Sequence, residues 1–374
     1  MSNSLIKQVD LQKQTNFIVS MASIGLILVV ILAIMFGIYI SRLQNNECEY
    51  MNNLYSTISP NIRSLSSADS DCSGNLNDYY IKTAYNACSG GSYKNDFVNI
   101  CNLKAVIKEG VRCLDFEMYS IDNRPVVATS TSDNYYTKET YNSVDFSDVM
   151  TTIKNYAFSG STAPNPLDPI LIHLRFMSNN AEMYGNLVTI FKSYDTEMLG
   201  KEYSYENDGL NLGEQPLLSF QGKIILIVDK LTPLSTAFLD NQELLEYVNL
   251  TSGSTFMRAL TYGDVKNNPD LKELREFNKR YMSIVFPDEG PDPPNPSGPF
   301  CWDAGCQMVA MRYQTVDNFL MMNALKFDKA GYAFSLKPEP LRYKIVTVPD
   351  SIPQDPALSY QTRNVSSDYY SFDT

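Results

Sequence analysis

Between Phe17 and Ile40 the chain runs for 24 residues without one charged side chain. Apart from Tyr39, Ser20 and Ser23 are its only hydroxyl groups there. At ~1.5 Å per residue this run covers a hydrocarbon layer of ~30 Å with some tilt. The rival reading is a cleaved signal peptide, whose apolar region is shorter, ~7–15 residues, and ends at a small-residue cleavage site. Neither feature fits, so a permanent transmembrane helix is expected. Lys7 and Lys13 precede the span; Arg42 follows it, soon joined by Glu47 and Glu49. That bias places the N-terminus in the cytoplasm and the larger part outside or in a lumen. The sequons Asn249-Leu250-Thr251 and Asn364-Val365-Ser366 are compatible with that side.

Beyond the span the pattern changes twice. Residues 41–77 are rich in Ser, Asn and Asp with little apolar periodicity, and read as a stalk. From Asp78 onward, apolar segments of strand length alternate with amphipathic helices. Strands are expected over Tyr79–Ala84, Val111–Met118, Arg124–Thr129, Pro169–Met177, Lys223–Val228, Arg280–Phe286 and Gln307–Tyr313. Helices are expected over Asn95–Lys108, Phe146–Phe158 and Ala181–Tyr194. In the first of these, Phe97, Ile100, Leu103 and Ile107 form one stripe and Gly110 ends it. Such alternation implies a parallel sheet, here a closed α/β barrel. Residues 231–278 show helical stripes between polar turns and read as a linker. Residues 343–374 are a Pro-, Ser- and Tyr-containing tail.

The formal net charge is -12, which argues against nucleic acid as a partner and against electrostatic docking on anionic lipid. With seven cysteines, no Cys-x-x-Cys pair and a single histidine, a zinc site is not expected. Cys48, Cys72, Cys88 and Cys101 are the disulfide candidates, with their connectivity open. Cys113 and Cys306 lie in or beside strands and read as buried thiols.

Phe300 to Thr315 reads Phe-Cys-Trp-Asp-Ala-Gly-Cys-Gln-Met-Val-Ala-Met-Arg-Tyr-Gln-Thr and holds the only tryptophan. By its residues alone it is a loop feeding a strand, with Trp302 as a packing anchor. It also resembles the Y half of eukaryotic phosphoinositide-specific phospholipase C. Gly331-Tyr332 and Leu336-Lys337-Pro338-Glu339-Pro340-Leu341-Arg342 resemble that family's closing segment. Four stretches resemble its X half: Tyr80 to Asn86, Gly110 to Glu117, Pro125 to Ser130, and Pro169 to Arg175. The resemblance implies a phospholipase C-like TIM (β/α)8-type barrel preceded by a single transmembrane helix. The parts are then a short tail (1–16), the helix (17–40), a stalk (41–77), an X-like half (78–230), a linker (231–278), a Y-like half (279–342) and a C-terminal tail (343–374).

The resemblance implies two histidines and a calcium ion: one base on the inositol 2-hydroxyl, and charge stabilisation on the phosphate. Residue by residue, both histidine positions differ here, and they fall on Tyr85 and Thr129. Neither side chain replaces an imidazole as a base near neutral pH. Of the calcium positions, Asn86 is kept, Asp115 and Glu117 are carboxylates in swapped order on one strand face, and the last falls on Arg175. Arg175 is expected to pair with both carboxylates, and calcium is not expected as a cofactor. Two family lysines fall on Ile227 and Asp229, with Lys230 adjacent, and a family serine falls near Pro294. His173 has the side parity of Arg175 and reads as a structural, hydrogen-bonded histidine, while remaining the one residual candidate base.

These residues allow three functions. The first is a membrane-anchored, catalytically inactive barrel serving as a structural or interaction protein. The second is an active phosphodiesterase on phosphoinositide-type lipids with a changed, calcium-independent site. The third is a module that binds a lipid head group at the barrel mouth without turnover. The membrane through Phe17–Ile40, a lipid head group and an unidentified protein are the partners these readings allow.

Overall fold

The computed structural model describes residues 2–56, 59–132, 136–204, 210–231, 235–344, 353, 355 and 362–374. Eight parallel strands, numbered here in chain order, form the core: β1 (Tyr79–Ala84), β2 (Cys113–Ile121), β3 (Ile170–Phe176), β4 (Ile224–Asp229), β5 (Leu250–Ser252), β6 (Met257–Thr261), β7 (Met282–Phe286) and β8 (Met308–Met311). They pair in the order β5-β4-β3-β2-β1-β8-β7-β6. Every ladder on that path is parallel. β5 and β6 adjoin where the ladder stays open, so the ring is nearly closed. Parallel strands covered by helices are buried on both faces, which explains near-continuous runs such as Ile-Ile-Leu-Ile-Val in β4.

The α-helices of the first half are α1 (Ser2–Ser56), α2 (Ile100–Lys108), α3 (Phe146–Thr152) and α4 (Ala181–Lys192). Asn99 and Asn180 cap α2 and α4 by accepting backbone N–H bonds from Cys101 and Glu182. α3 continues into a π-helical turn, Ile153–Ala157, so the long helix expected over Phe146–Phe158 changes pitch halfway. Arg124–Ala128 is not a barrel strand: it folds back antiparallel on the end of β2.

Three expectations are corrected. Residues 41–77 are not a free stalk. α1 continues without a break to Ser56, and Met51, Tyr55, Ile62 and Leu65 are buried in the core. Spaced four apart, Met51 and Tyr55 mark a helical face too short to register as periodicity. Residues 231–278 are not a linker either, because β5 and β6 lie within them. Strands of three and five residues are too short to show an alternating signature. Asn249 of the first sequon is buried, its amide accepting from Leu226 N at 2.9 Å and donating to Tyr203 O at 3.2 Å. A glycan has no room there, whereas Asn364 is exposed on the two-stranded hairpin Asn364–Ser366/Ser371–Asp373. Much of the tail's remainder, 345–352 and 356–361, lies outside the described residues.

The Phe300–Thr315 stretch closes the ring through its polar atoms. Gln307 Oε1 accepts from Ser283 N at 2.9 Å, and Nε2 donates to the carbonyls of Asn77, Asn278 and Tyr281. One buried amide thus ties β7, β8 and the entry to β1. Trp302 packs on Tyr80 and edge-on to Phe327, and its carbonyl accepts from the Tyr80 hydroxyl at 2.7 Å. Gly305 has φ +78°, and a Cβ there would lie 3.1 Å from Asn278 Cβ. Gly305→Ala is therefore expected to lower stability by ~1–2 kcal/mol, since a left-handed backbone and a close neighbour oppose any side chain. An unchanged urea midpoint would remove this account of the glycine.

Cys48 and Cys101 form a disulfide; Cys72, Cys88, Cys113, Cys301 and Cys306 are buried thiols. Two of the four disulfide candidates are thus paired and two are free.

Candidate functional site at the barrel mouth

β2 and β3 are neighbours in register, with Asp115 opposite His173 and Glu117 opposite Arg175. Side chains two apart share a face, so these four point together into the upper barrel. Asn86 joins them from the end of β1, where φ +44° turns the chain sharply.

Arg175 stands in the centre. Its Nε donates to Asp115 Oδ1 at 3.1 Å. Nη2 reaches Asp115 Oδ2 at 2.9 Å, Asn86 Oδ1 at 3.0 Å and Glu117 Oε1 at 3.3 Å. Asp115 accepts further bonds from His173 Nδ1 at 2.8 Å and Asn86 N at 3.2 Å. Glu117 accepts from Asn86 Nδ2, Tyr119 Oη and Ser130 N, each at 2.8 Å, and from Ser130 Oγ at 3.1 Å. Burial alone would raise the Asp115 carboxyl, but Arg175 and the His173 bond outweigh it and hold it down at about 2. Burial, and then the charge of Glu117, push the Tyr119 phenol up, so it stays a donor.

The aromatic shell completes the plug. The Arg175 guanidinium lies 4.8 Å from the Tyr85 ring centre and 5.3 Å from that of Phe286. Tyr93 packs edge-on against Tyr85. The loop after β7 is pinned across the opening: Gly290 N donates to Thr131 O, Tyr93 N to Pro291 O, and Arg312 bonds Asp292 and the carbonyl of Pro293. Above Arg175 the described residues leave a pit of about 60 Å³, lined by Tyr85, Ser130, Thr131, Thr261, Phe286 and Glu289.

His173 is fully buried. Nδ1 faces Asp115, and Nε2 lies 2.9 Å from Ser252 Oγ, which donates to Asp229 Oδ1 at 2.8 Å. Both ring nitrogens are therefore engaged by buried partners, Nδ1 by Asp115 and Nε2 by Ser252.

The structure therefore brings Tyr85, Asn86, Asp115, Glu117, Arg175 and His173 together. Thr129 stays apart: its hydroxyl bonds Tyr93 O at 3.2 Å, and the next residue, Ser130, reaches Glu117 instead. Sequence reasoning missed Ser252, Phe286 and Tyr93. Ser252 was out of reach because β5 was not recognised as a strand. Phe286 had a signal, as the last apolar residue of a predicted strand ending at the mouth. Ile227 lies in the β4 ladder and is buried, and Asp229 serves the histidine chain. Pro294 lies in the pinned loop, beside Asn295, whose N–H bonds Asp317.

The calcium that the resemblance implies does not fit these residues. Such an ion takes ~6–8 oxygens at ~2.3–2.6 Å. Here both carboxylates and the Asn86 carbonyl are committed to a guanidinium and to fixed N–H and O–H donors. Among the described residues no other group of acidic, histidine or cysteine side chains is arranged to hold a metal.

A nearly closed parallel α/β barrel with a charged cluster at the carboxyl ends of β1, β2 and β3 is the architecture of a phospholipase C-type phosphodiesterase. Residues 72–230 match the phosphatidylinositol-specific phospholipase C X domain, and residues 248–340 match its Y domain. The chain belongs to the phosphatidylinositol-specific phospholipase C family. It is 36% identical over 91 residues to human 1-phosphatidylinositol 4,5-bisphosphate phosphodiesterase beta-4, covering 24% of this chain and 8% of that protein. Over 97 residues it is 30% identical to the mouse eta-2 enzyme of the same name, covering 25% of this chain and 6% of that protein. The chain thus spans under a tenth of the length of these relatives. Among solved structures it resembles L. pealei PLC21, with TM-score 0.58, 19% identity, 73% of this chain and 38% of that chain. S. officinalis PLC21 gives TM-score 0.56 with the same identity and coverage. The Y match begins at residue 248, which places β5 and β6 in the second half of the barrel.

Proposed function

We propose that this chain is a membrane-anchored phospholipase C-type barrel without turnover, acting as a structural or interaction module. The observation that carries the reading is Arg175 seated among Asn86, Asp115 and Glu117 beneath Tyr85 and Phe286. It occupies the centre of the mouth and leaves about 60 Å³, against the ~300–1,000 Å³ usual for a ligand site. The single histidine supports it, held between Asp115 and Ser252 with no access to solvent. Membrane attachment rests on α1, which holds a segment long and apolar enough to cross a bilayer. The described side chains of that run are exposed rather than packed on the barrel.

A second reading is a calcium-independent phosphodiesterase on phosphoinositide-type lipids. The Asp115–His173 pair favours it, since a carboxylate-oriented imidazole is the usual partner in proton transfer. It would require His173 and Arg175 to be unburied on substrate binding.

Calcium separates the proposal from the family's ordinary chemistry. Addition of millimolar calcium to the detergent-solubilised chain is expected to leave its melting temperature unchanged, because no oxygen cage is free to bind it. A calcium-dependent rise in melting temperature, absent with magnesium, would contradict the proposal.

A further inference from the structure

α1 does more than lead out of the barrel, because its last two turns run parallel to α2 in a fixed register. Cys48 is bonded to Cys101 in the first turn of α2. Met51 and Asn52 face Lys104 and Ala105 across a shared cavity. The Tyr55 carbonyl accepts from Lys108 Nζ at 3.0 Å in the last turn of α2. α2 follows β1 and precedes β2, so it descends from the mouth to the floor of the barrel. α1 therefore descends with it, and everything before Cys48 projects past the mouth, not the floor. Two mouth-end carbonyls hold this seam: Tyr313 O accepts from Tyr55 Oη at 2.6 Å, and Gln314 O from Tyr50 Oη at 3.4 Å.

The helix is unbroken from Ser2 to Ser56. The seven residues from the end of the apolar run at Ile40 to Glu47 rise ~10 Å. The polar layer of a bilayer is ~5–8 Å deep on each side. We propose that the barrel mouth faces the bilayer that holds α1, touching its head-group layer, and that the Cys48–Cys101 bond makes α1 a strut fixing this orientation. The inference rests on reading Phe17–Ile40 as a span. The occupant of the mouth face is then the bilayer itself. Tyr141 and Leu231, 43% and 59% exposed, sit on mouth-side loops. Lys94 is paired with Glu139 there, and Asp288 and Glu289 lie on the neighbouring loop. That mixture of signs suits zwitterionic rather than strongly anionic head groups.

The test uses the full chain reconstituted in phosphatidylcholine vesicles carrying a lipid with a nitroxide on its head group. A fluorophore is placed at the mouth through Glu289→Cys or at the floor through Ser161→Cys; both positions are exposed. The expected result is strong quenching at the mouth and none at the floor. In a Cys48→Ala/Cys101→Ala background, mouth quenching is expected to fall toward the floor value. Equal quenching at both ends, or stronger quenching at the floor, overturns the proposal. Alkaline carbonate extraction of the same vesicles separates the span from the orientation. Release of the chain would overturn both together. Retention with floor quenching would overturn the orientation alone.

Discussion

Replacement of Arg175 by alanine is expected to lower the stability of the barrel by roughly 3–5 kcal/mol, because it leaves two buried carboxylates facing each other without a counter-charge. The pH dependence should also change sign. In the parent chain Asp115 is held at about 2, below the ~3.9 of an unfolded aspartate. Its contribution is therefore fully present above about pH 4 and is lost as pH falls toward 2. Without Arg175, burial and like charge favour the protonated acid, so the variant regains stability as pH falls from neutrality and a proton neutralises the pair. Urea denaturation of the detergent-solubilised chain at two pH values measures both effects. A penalty below ~1 kcal/mol, typical of an exposed pair, would contradict the view of Arg175 as the keystone of the mouth.

The second large effect concerns the staple. Cys48 and Cys101 are separated by 53 residues, and closing a loop of that size restricts the unfolded chain by about 4 kcal/mol in the chain-entropy treatment. Cys48→Ala/Cys101→Ala should lower stability by that order. α1 and the segment after it should loosen first, because Met51, Tyr55, Ile62 and Leu65 hold them to the barrel without help from a strand ladder. Limited proteolysis should then cut first between residue 41 and residue 65, while β1 to β8 remain protected. A urea midpoint that does not respond to dithiothreitol would contradict this.

The barrel was legible wherever elements were long. β4 carries a continuous apolar run, β2 and β3 carry apolar residues around their alternating Asp115, Glu117, His173 and Arg175, and α4 has a cap and a clear stripe, so the first half could be laid out almost strand by strand. β5 and β6 could not, since three and five residues flanked by polar turns carry too little pattern. The docked end of α1 was missed for a related reason: its contacts with the barrel are few and widely spaced along a helix whose other faces are polar. In the site, strand parity predicted that Asp115, Glu117, His173 and Arg175 share a face, and chemistry predicted that an arginine among carboxylates pairs with them. What parity does not give is a loop's path. The pinning of Gly290 and Pro291 over the opening and the turn of Thr129 toward Tyr93 depend on where loops cross, whereas the Ser252–Asp229 end of the histidine chain depends on the pairing of β5 with β4.

The measurement that bears most directly on the account is phosphodiesterase turnover by the full chain in mixed micelles containing phosphatidylinositol or its phosphates, with calcium and with chelator. The account predicts release of inositol phosphate indistinguishable from a protein-free blank in both conditions. Turnover above the blank that is lost in His173→Gln would contradict it and establish a working site built around the one histidine.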